Sequence, residues 1–103
     1  MSRQPDFVPV DVYVLDVLLR DLVGHDKRPA AFLVYLYLYG IAARSRWRPV
    51  IASLRDIADA TGLSKSAAET AMKILRLRRL VTTQTTFRTA RPRHQVLRHW
   101  RCS

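Results

Sequence analysis

A mainly α domain with a small β-hairpin is the fold class this chain predicts, and three observations carry the prediction. Apolar residues recur at helical spacing between positions 10 and 80, Gly and Pro cut that stretch into segments of helix length, and strand formers gather after Leu80. With 103 residues, 49% of them apolar, the chain suits a single hydrophobic core, and no separate sensor domain is expected within it. The expected division is an irregular arm over 1–9 and one domain over 10–101. That domain holds N-terminal helices within 10–45, a helix pair over 53–80 and a hairpin over 81–101.

Pro5 and Pro9 leave residues 1–9 without a periodic pattern. The run VDVYVLDVLLRDLV over 10–23 opens with strand-like alternation of Val10, Val12 and Val14. Leu15, Leu18, Leu19 and Leu22 then recur as on a helix, and Asp11, Asp16 and Asp21 break the alternation. A helix ended by Gly24 is expected. After a polar turn at 25–28, Pro29 suits the first turn of a second helix over 29–44, whose centre AAFLVYLYLYGIAA is apolar nearly all round. Its apolar run of about 14 residues falls short of the roughly 20 that cross a bilayer and ends in Arg44, Arg46 and Arg48, so no membrane span is expected. Such a helix is either central in its domain or shared with an oligomer interface, and a small protein has little core to surround it. A homodimer through the apolar N-terminal helices is therefore expected. The alternative makes Tyr35, Tyr37 and Tyr39 boundary residues whose hydroxyls reach water.

Residues 50–52, Val-Ile-Ala, form a short extended piece before the most informative stretch, SLRDIADATGLSKSAAETAMKILRLRRLV. Ser53 caps a helix, with Asp56 three residues on to complete a capping box. Ile57 and Ala58 face inward, Ala58 being small enough for a close helix crossing, and Gly62 supplies the left-handed backbone of a tight turn. Leu63 plugs the corner and Ser64 caps the second helix. Ala68, Ala71, Met72 and Leu75 recur on its buried face, which turns Lys65, Ser66, Ala67, Glu69, Thr70 and Lys73 outward. These features describe a helix-turn-helix whose outward row suits a DNA major groove.

The segment resembles the helix-turn-helix of bacterial winged-helix DNA-binding proteins on Gly62, Leu63, Ser64, Lys65 and Ser66, then Leu77, Arg78, Arg79, Leu80 and Val81. It departs at Arg79, where that family most often has Gly. The exit is left open between a different turn and one or two more residues of helix. Carried over residues 29–101, the resemblance implies a winged helix-turn-helix fold. The piece at 50–52 would be a small strand that pairs with the wing, and the wing would be a strand over 80–87, a loop over 88–94 and a return over 95–101. Arg88, Arg91 and Arg93 would gather at the tip, either entering a narrow minor groove or making diffuse phosphate contacts.

Charge segregation points the same way. Residues 1–43 hold four Lys/Arg against five Asp, a net of −1, and residues 44–103 hold fourteen Lys/Arg against three acids, a net of +11, which together make the chain's +10. So polarised a half suits a polyanion, and counterion release from DNA phosphates gives it salt-dependent affinity. Within the second helix, Lys65 and Ser66 lie at the helix N-terminus and position a phosphate. Glu69 either accepts from a cytosine amino group or pairs with Lys65 or Lys73, the pairing being preferred. Thr70 suits a thymine methyl, whereas Lys73 and Arg76 suit the backbone, with Arg55 and Arg44 as phosphate clamps outside this helix. The candidate DNA-binding set is thus Arg55, Ser64, Lys65, Ser66, Ala67, Glu69, Thr70, Lys73, Arg76, Arg88, Arg91 and Arg93.

No enzyme chemistry, cofactor or metal site is expected. His25, His94 and His99 are scattered and read as ordinary surface or hairpin residues, and the Asp residues spaced by five read as a solvated helix face. The lone Cys102 allows no internal disulfide, and no secretory signal pattern opens the chain, so a cytoplasmic setting is expected. The function expected is sequence-specific binding of double-stranded DNA by a transcriptional regulator. Replication initiation or a mobile-element role is one alternative, and a protein-interaction or RNA-binding adaptor is another.

Overall fold

The computed structural model describes residues 6–101, so Cys102 and the first five residues of the arm lie outside the described residues. The first helix, α1, winds with i→i+5 hydrogen bonding over Val14–Leu18 and Arg20–His25 rather than as an α-helix. Wider winding brings residues four apart nearly into line, and Val14, Leu18 and Leu22 form its buried row. Gly24 does not end it. The helix passes on to His25, Lys27 takes the left-handed backbone at φ 55, and the Arg28 N–H donates to the Leu22 carbonyl at 2.7 Å. A contact from far along the chain fixes this stop: Arg78 donates two 2.8 Å hydrogen bonds to the Asp26 carboxylate.

Pro29 opens α2, Pro29–Arg44, as the sequence predicts. Most of its apolar surface is absorbed within one chain, since Ala31, Phe32, Val34, Tyr35, Leu38, Tyr39 and Ala42 are buried, Leu36, Tyr37 and Ile41 are half-buried and Leu33 is exposed. Tyr35 and Tyr39, at 0% and 1% exposure, are core residues and not boundary ones. The Tyr35 hydroxyl donates to the Leu97 carbonyl at 2.9 Å, and the Tyr39 hydroxyl accepts from the Asp11 N–H at 3.1 Å. Buried hydroxyls thereby keep partners, as they must in a low-dielectric interior. No helix among the described residues is long and apolar enough to cross a membrane.

The strand β1, Val50–Ile51, leads to α3, Leu54–Thr61, and α4, Lys65–Leu77. The capping box forms: Asp56 N–H donates to the Ser53 hydroxyl at 3.0 Å and the Asp56 carboxylate accepts from the Ser53 N–H at 2.9 Å. Gly62 turns left-handed at φ 79, and the Ala67 N–H donates to the Ser64 hydroxyl. At its far end α4 stops at Leu77 and does not run on, because Arg79 itself adopts φ 58. The Arg79 N–H then reaches the Arg76 carbonyl and the Leu80 N–H the Leu75 carbonyl, a Schellman closure completed without glycine.

The sheet is antiparallel in the order β1-β3-β2, with β2 at Val81–Gln84 and β3 at Arg93–Val96. Val50 faces His94 and Val81 faces Val96. Both hairpin strands are shorter than expected, and Arg93 lies in a strand, because pairing with β1 draws it into the sheet opposite Ile51. Residues 97–101 leave the sheet to hold the start of α1. Trp100 stacks on Tyr13 at 4.6 Å and donates to Asp11, whose carboxylate also accepts two bonds from Arg101. Asp11 and Asp26 are therefore tethers, not members of a solvated face.

His94, expected to be an ordinary surface or hairpin residue, lies in the hairpin strand β3 but is buried at 2% exposure. Its Nε2–H donates to the Ala52 carbonyl at 2.8 Å and its Nδ1 lies 3.0 Å from the Thr83 hydroxyl, which joins β3, β2 and the segment entering α3. Burial holds its pKa below the usual 6.5, so the folded state favours the neutral ring. The stability this contributes is fully present above 6.5 and is lost as pH falls below it. The Arg101 bonds and the Arg78 bonds hold Asp11 and Asp26 below the ordinary carboxylate 3.8, and loss of their contribution follows at still lower pH. Urea titrations across pH are expected to show two falling limbs, and His94→Gln to flatten the one beginning near 6.5. The two left-handed turns should respond oppositely to substitution. Arg79→Gly is expected to raise stability by about 0.5–1 kcal/mol and Gly62→Ala to lower it by about 1–2 kcal/mol, both read by urea denaturation.

Candidate nucleic-acid interface

The outward row of α4 is positioned by what lies beneath it. Ala68, Ala71, Met72 and Leu75 are buried against the rest of the core, and Ile57 and Ala58 of α3 hold the crossing, with Leu63 half-buried at the corner. Lys65, Ser66, Glu69, Thr70 and Lys73 are exposed and Ala67 is half-buried, so the row predicted from periodicity lies on one side of the helix. Ser64 is exposed and occupied in capping, its hydroxyl 3.3 Å from that of Ser66. Free N–H groups at this end, together with the Lys65 ammonium, favour an anion.

Glu69 forms an ion pair with neither Lys65 nor Lys73 among the described residues, which corrects the preferred pairing. All three side chains are solvated, and the gain from an exposed pair one helical turn apart is too small to hold long side chains together. The Glu69 carboxylate is left with its acceptor oxygens turned outward.

Lys27 and Arg28, which the sequence reading left in a plain turn, belong beside this row. With Pro29, Ala30 and Ala31 they line one wall of an open hollow of about 300 Å³, and Ser66, Ala67, Thr70 and Ala71 line the other. The turn before α2 thus adds two cations to the side of the α3–α4 pair that carries Ser66 and Thr70. A turn that immediately precedes Pro at a helix start was the available signal, since its side chains cluster round that helix's N-terminus.

The remaining candidates divide by what already holds them. Arg91 lies 3.5 Å from the Asp56 carboxylate, which draws one arginine of the hairpin loop back onto the start of α3. Arg93 stands on the solvent face of the sheet with Thr82, Gln84 and Gln95, away from the loop tip. Arg76 donates to the Thr83 hydroxyl at 3.4 Å, linking α4 to β2, and Arg44 donates back to the Gly40 carbonyl of its own helix. Arg55, Lys65, Lys73, Arg88 and Arg93 form no ion pair among the described residues. Arg78, part of the basic exit from α4, is committed to Asp26, whose carboxylate holds the guanidinium more firmly protonated than usual. Against known proteins the chain matches no family model, no curated protein and no solved structure.

The capping box and the Arg91 contact share one carboxylate, and two variants separate them. Asp56→Asn keeps an acceptor for the Ser53 N–H but removes the charge that draws in Arg91, so elution from a heparin column is expected to move to higher salt. Ser53→Ala is expected to leave elution unchanged while lowering unfolding stability by about 1 kcal/mol.

Proposed function

We propose that this chain binds double-stranded DNA sequence-specifically as a winged helix-turn-helix protein and acts as a transcriptional regulator in the cytoplasm. The observation that carries the reading is the capped, core-anchored α4 with its exposed row of Lys65, Ser66, Glu69, Thr70 and Lys73. A reading helix needs a fixed backbone beneath short polar side chains, because base contacts discriminate by geometry. The β1-β3-β2 order, with β1 preceding α3 and a basic hairpin following α4, supports the winged arrangement.

Within that reading Lys65 and Ser66, with the helix N-terminus behind them, take a phosphate, and Lys27 and Arg28 extend the backbone track from the start of α2. Thr70 meets a thymine methyl and Glu69 accepts from a cytosine amino group, a role open to it because no lysine neutralises it. Lys73, Arg55 and Arg88 contribute charge to phosphates. Counterion release makes their share of affinity steeply dependent on salt.

The test is selection of the purified chain against a random duplex pool at roughly 0.15 M salt, where non-specific phosphate binding is already weakened. One enriched sequence is expected, and retention without enrichment would remove the reading. On the selected duplex Lys73→Ala should weaken binding to every sequence and lower the salt slope by about 1, whereas Glu69→Ala and Thr70→Ala should change the preferred base at single positions. Equal small losses for all three would contradict the division of roles.

A further inference from the structure

We propose that the outward face of α1 is a self-association surface on which a second copy of this chain docks antiparallel. Among the described residues Phe7, Leu33, Ile51, Leu77 and Phe87 are exposed apolar residues that stand singly along the chain, whereas at α1 four fall within twelve positions. Val12, Leu15, Leu19 and Val23 are 67%, 51%, 41% and 37% exposed, the last three each one residue on from the buried row of Val14, Leu18 and Leu22 and so along its flank. Single exposed apolar residues are ordinary, but Leu15, Leu19 and Val23 recur at the four-residue interval that this winding brings nearly into line, and with Val12 just before the helix they form a stripe.

Self-complementarity identifies the occupant. An isologous interface requires every contact to be repeated across its axis, so residues that meet must be symmetric about one point on the helix. Leu15 with Leu19, Val12 with Val23, and Asp16 with Arg20 have midpoints at 17, 17.5 and 18. An antiparallel pairing centred there sets leucine on leucine and valine on valine, and each flanking Asp16, exposed in the single chain, meets an exposed Arg20 of the other copy.

Charge restricts the choice further. Two copies of a chain carrying +10 repel over most of their surface, and residues 44–103 hold +11 of that charge. The stripe lies within residues 1–43, whose net is −1, where two copies approach without that penalty. An unlike partner would not need the stripe to be symmetric about its own centre.

The test uses the full chain without DNA, so it fails or succeeds independently of the DNA reading. Sedimentation equilibrium over a wide concentration range is expected to show conversion from 11.9 kDa to twice that mass. Leu15→Glu with Leu19→Glu should hold the chain at the monomer mass while its circular dichroism stays helical. Asp16→Arg and Arg20→Asp should each weaken association by about tenfold through like charges placed face to face, and the double variant should restore it. A single 11.9 kDa species throughout, a dimer that survives the paired Leu→Glu variant, or a double charge swap no stronger than the single changes would overturn the proposal.

Discussion

Enclosure of α2 is the constraint on which the rest of this structure depends. A helix apolar on nearly every side must be covered on nearly every side, and a chain of 103 residues has few elements with which to do it. α1, α3, α4, β1 and β3 all pack against it. Two tyrosines inside that cover bring hydroxyls that need partners, and the main chain near each end of the domain supplies them: Asp11 N–H to Tyr39, and Tyr35 to the Leu97 carbonyl. One central helix thereby fixes where the first helix begins and where the last strand finishes. Trp100 and Arg101 close the same corner on Asp11.

The charge asymmetry of the sequence is partly consumed by this closure. Asp11, Asp26 and Asp56 each hold an arginine from the basic half, namely Arg101, Arg78 and Arg91. None of these exposed or half-exposed pairs needs to contribute much stability, since surface ion pairs rarely exceed about 1 kcal/mol. Their larger consequence is selection, because they commit three surface arginines to carboxylates while Lys65 and Lys73 of α4 form no ion pair among the described residues. The field that a polyanion meets is set by these ties as much as by the net charge.

Local rules account for what the sequence disclosed and distant contacts for what it concealed. The capping box of Ser53 and Asp56, the left-handed Gly62, the Ser64 cap and the start of α2 at Pro29 each follow from interactions within a few residues, and each appears where periodicity and capping place it. The outward row of α4 was legible for the same reason. The end of α1 was not, because Asp26 is held by a residue 52 positions away, and the buried role of His94 depends on a carbonyl 42 positions away. Lys27 and Arg79 adopt backbone that glycine usually takes, and nothing in their own side chains announces it. Lys27 and Arg28 escaped the site for a related reason: only the packing of α2 on α4 brings that turn beside Ser66 and Thr70.

The DNA reading and the self-association of α1 constrain each other through size. In a two-fold pair equivalent points lie at twice their distance from the axis, so in a domain measuring 35 × 35 × 28 Å a point half a domain width from that axis lies one domain width from its mate. Successive major grooves on one side of B-DNA recur every 34–36 Å or so, the spacing at which paired reading helices meet two half-sites. Pairing through α1 draws on other residues than the α4 row, since the stripe is Val12, Leu15, Leu19 and Val23 and the row runs from Lys65 to Lys73. A dimer built on the basic hairpin would do the reverse, covering cations on which the proposed DNA reading rests and opposing like charges across the interface. The outer side of α1 carries the apolar stripe and no residue of the proposed DNA-binding set, so pairing there and the proposed DNA reading draw on different side chains.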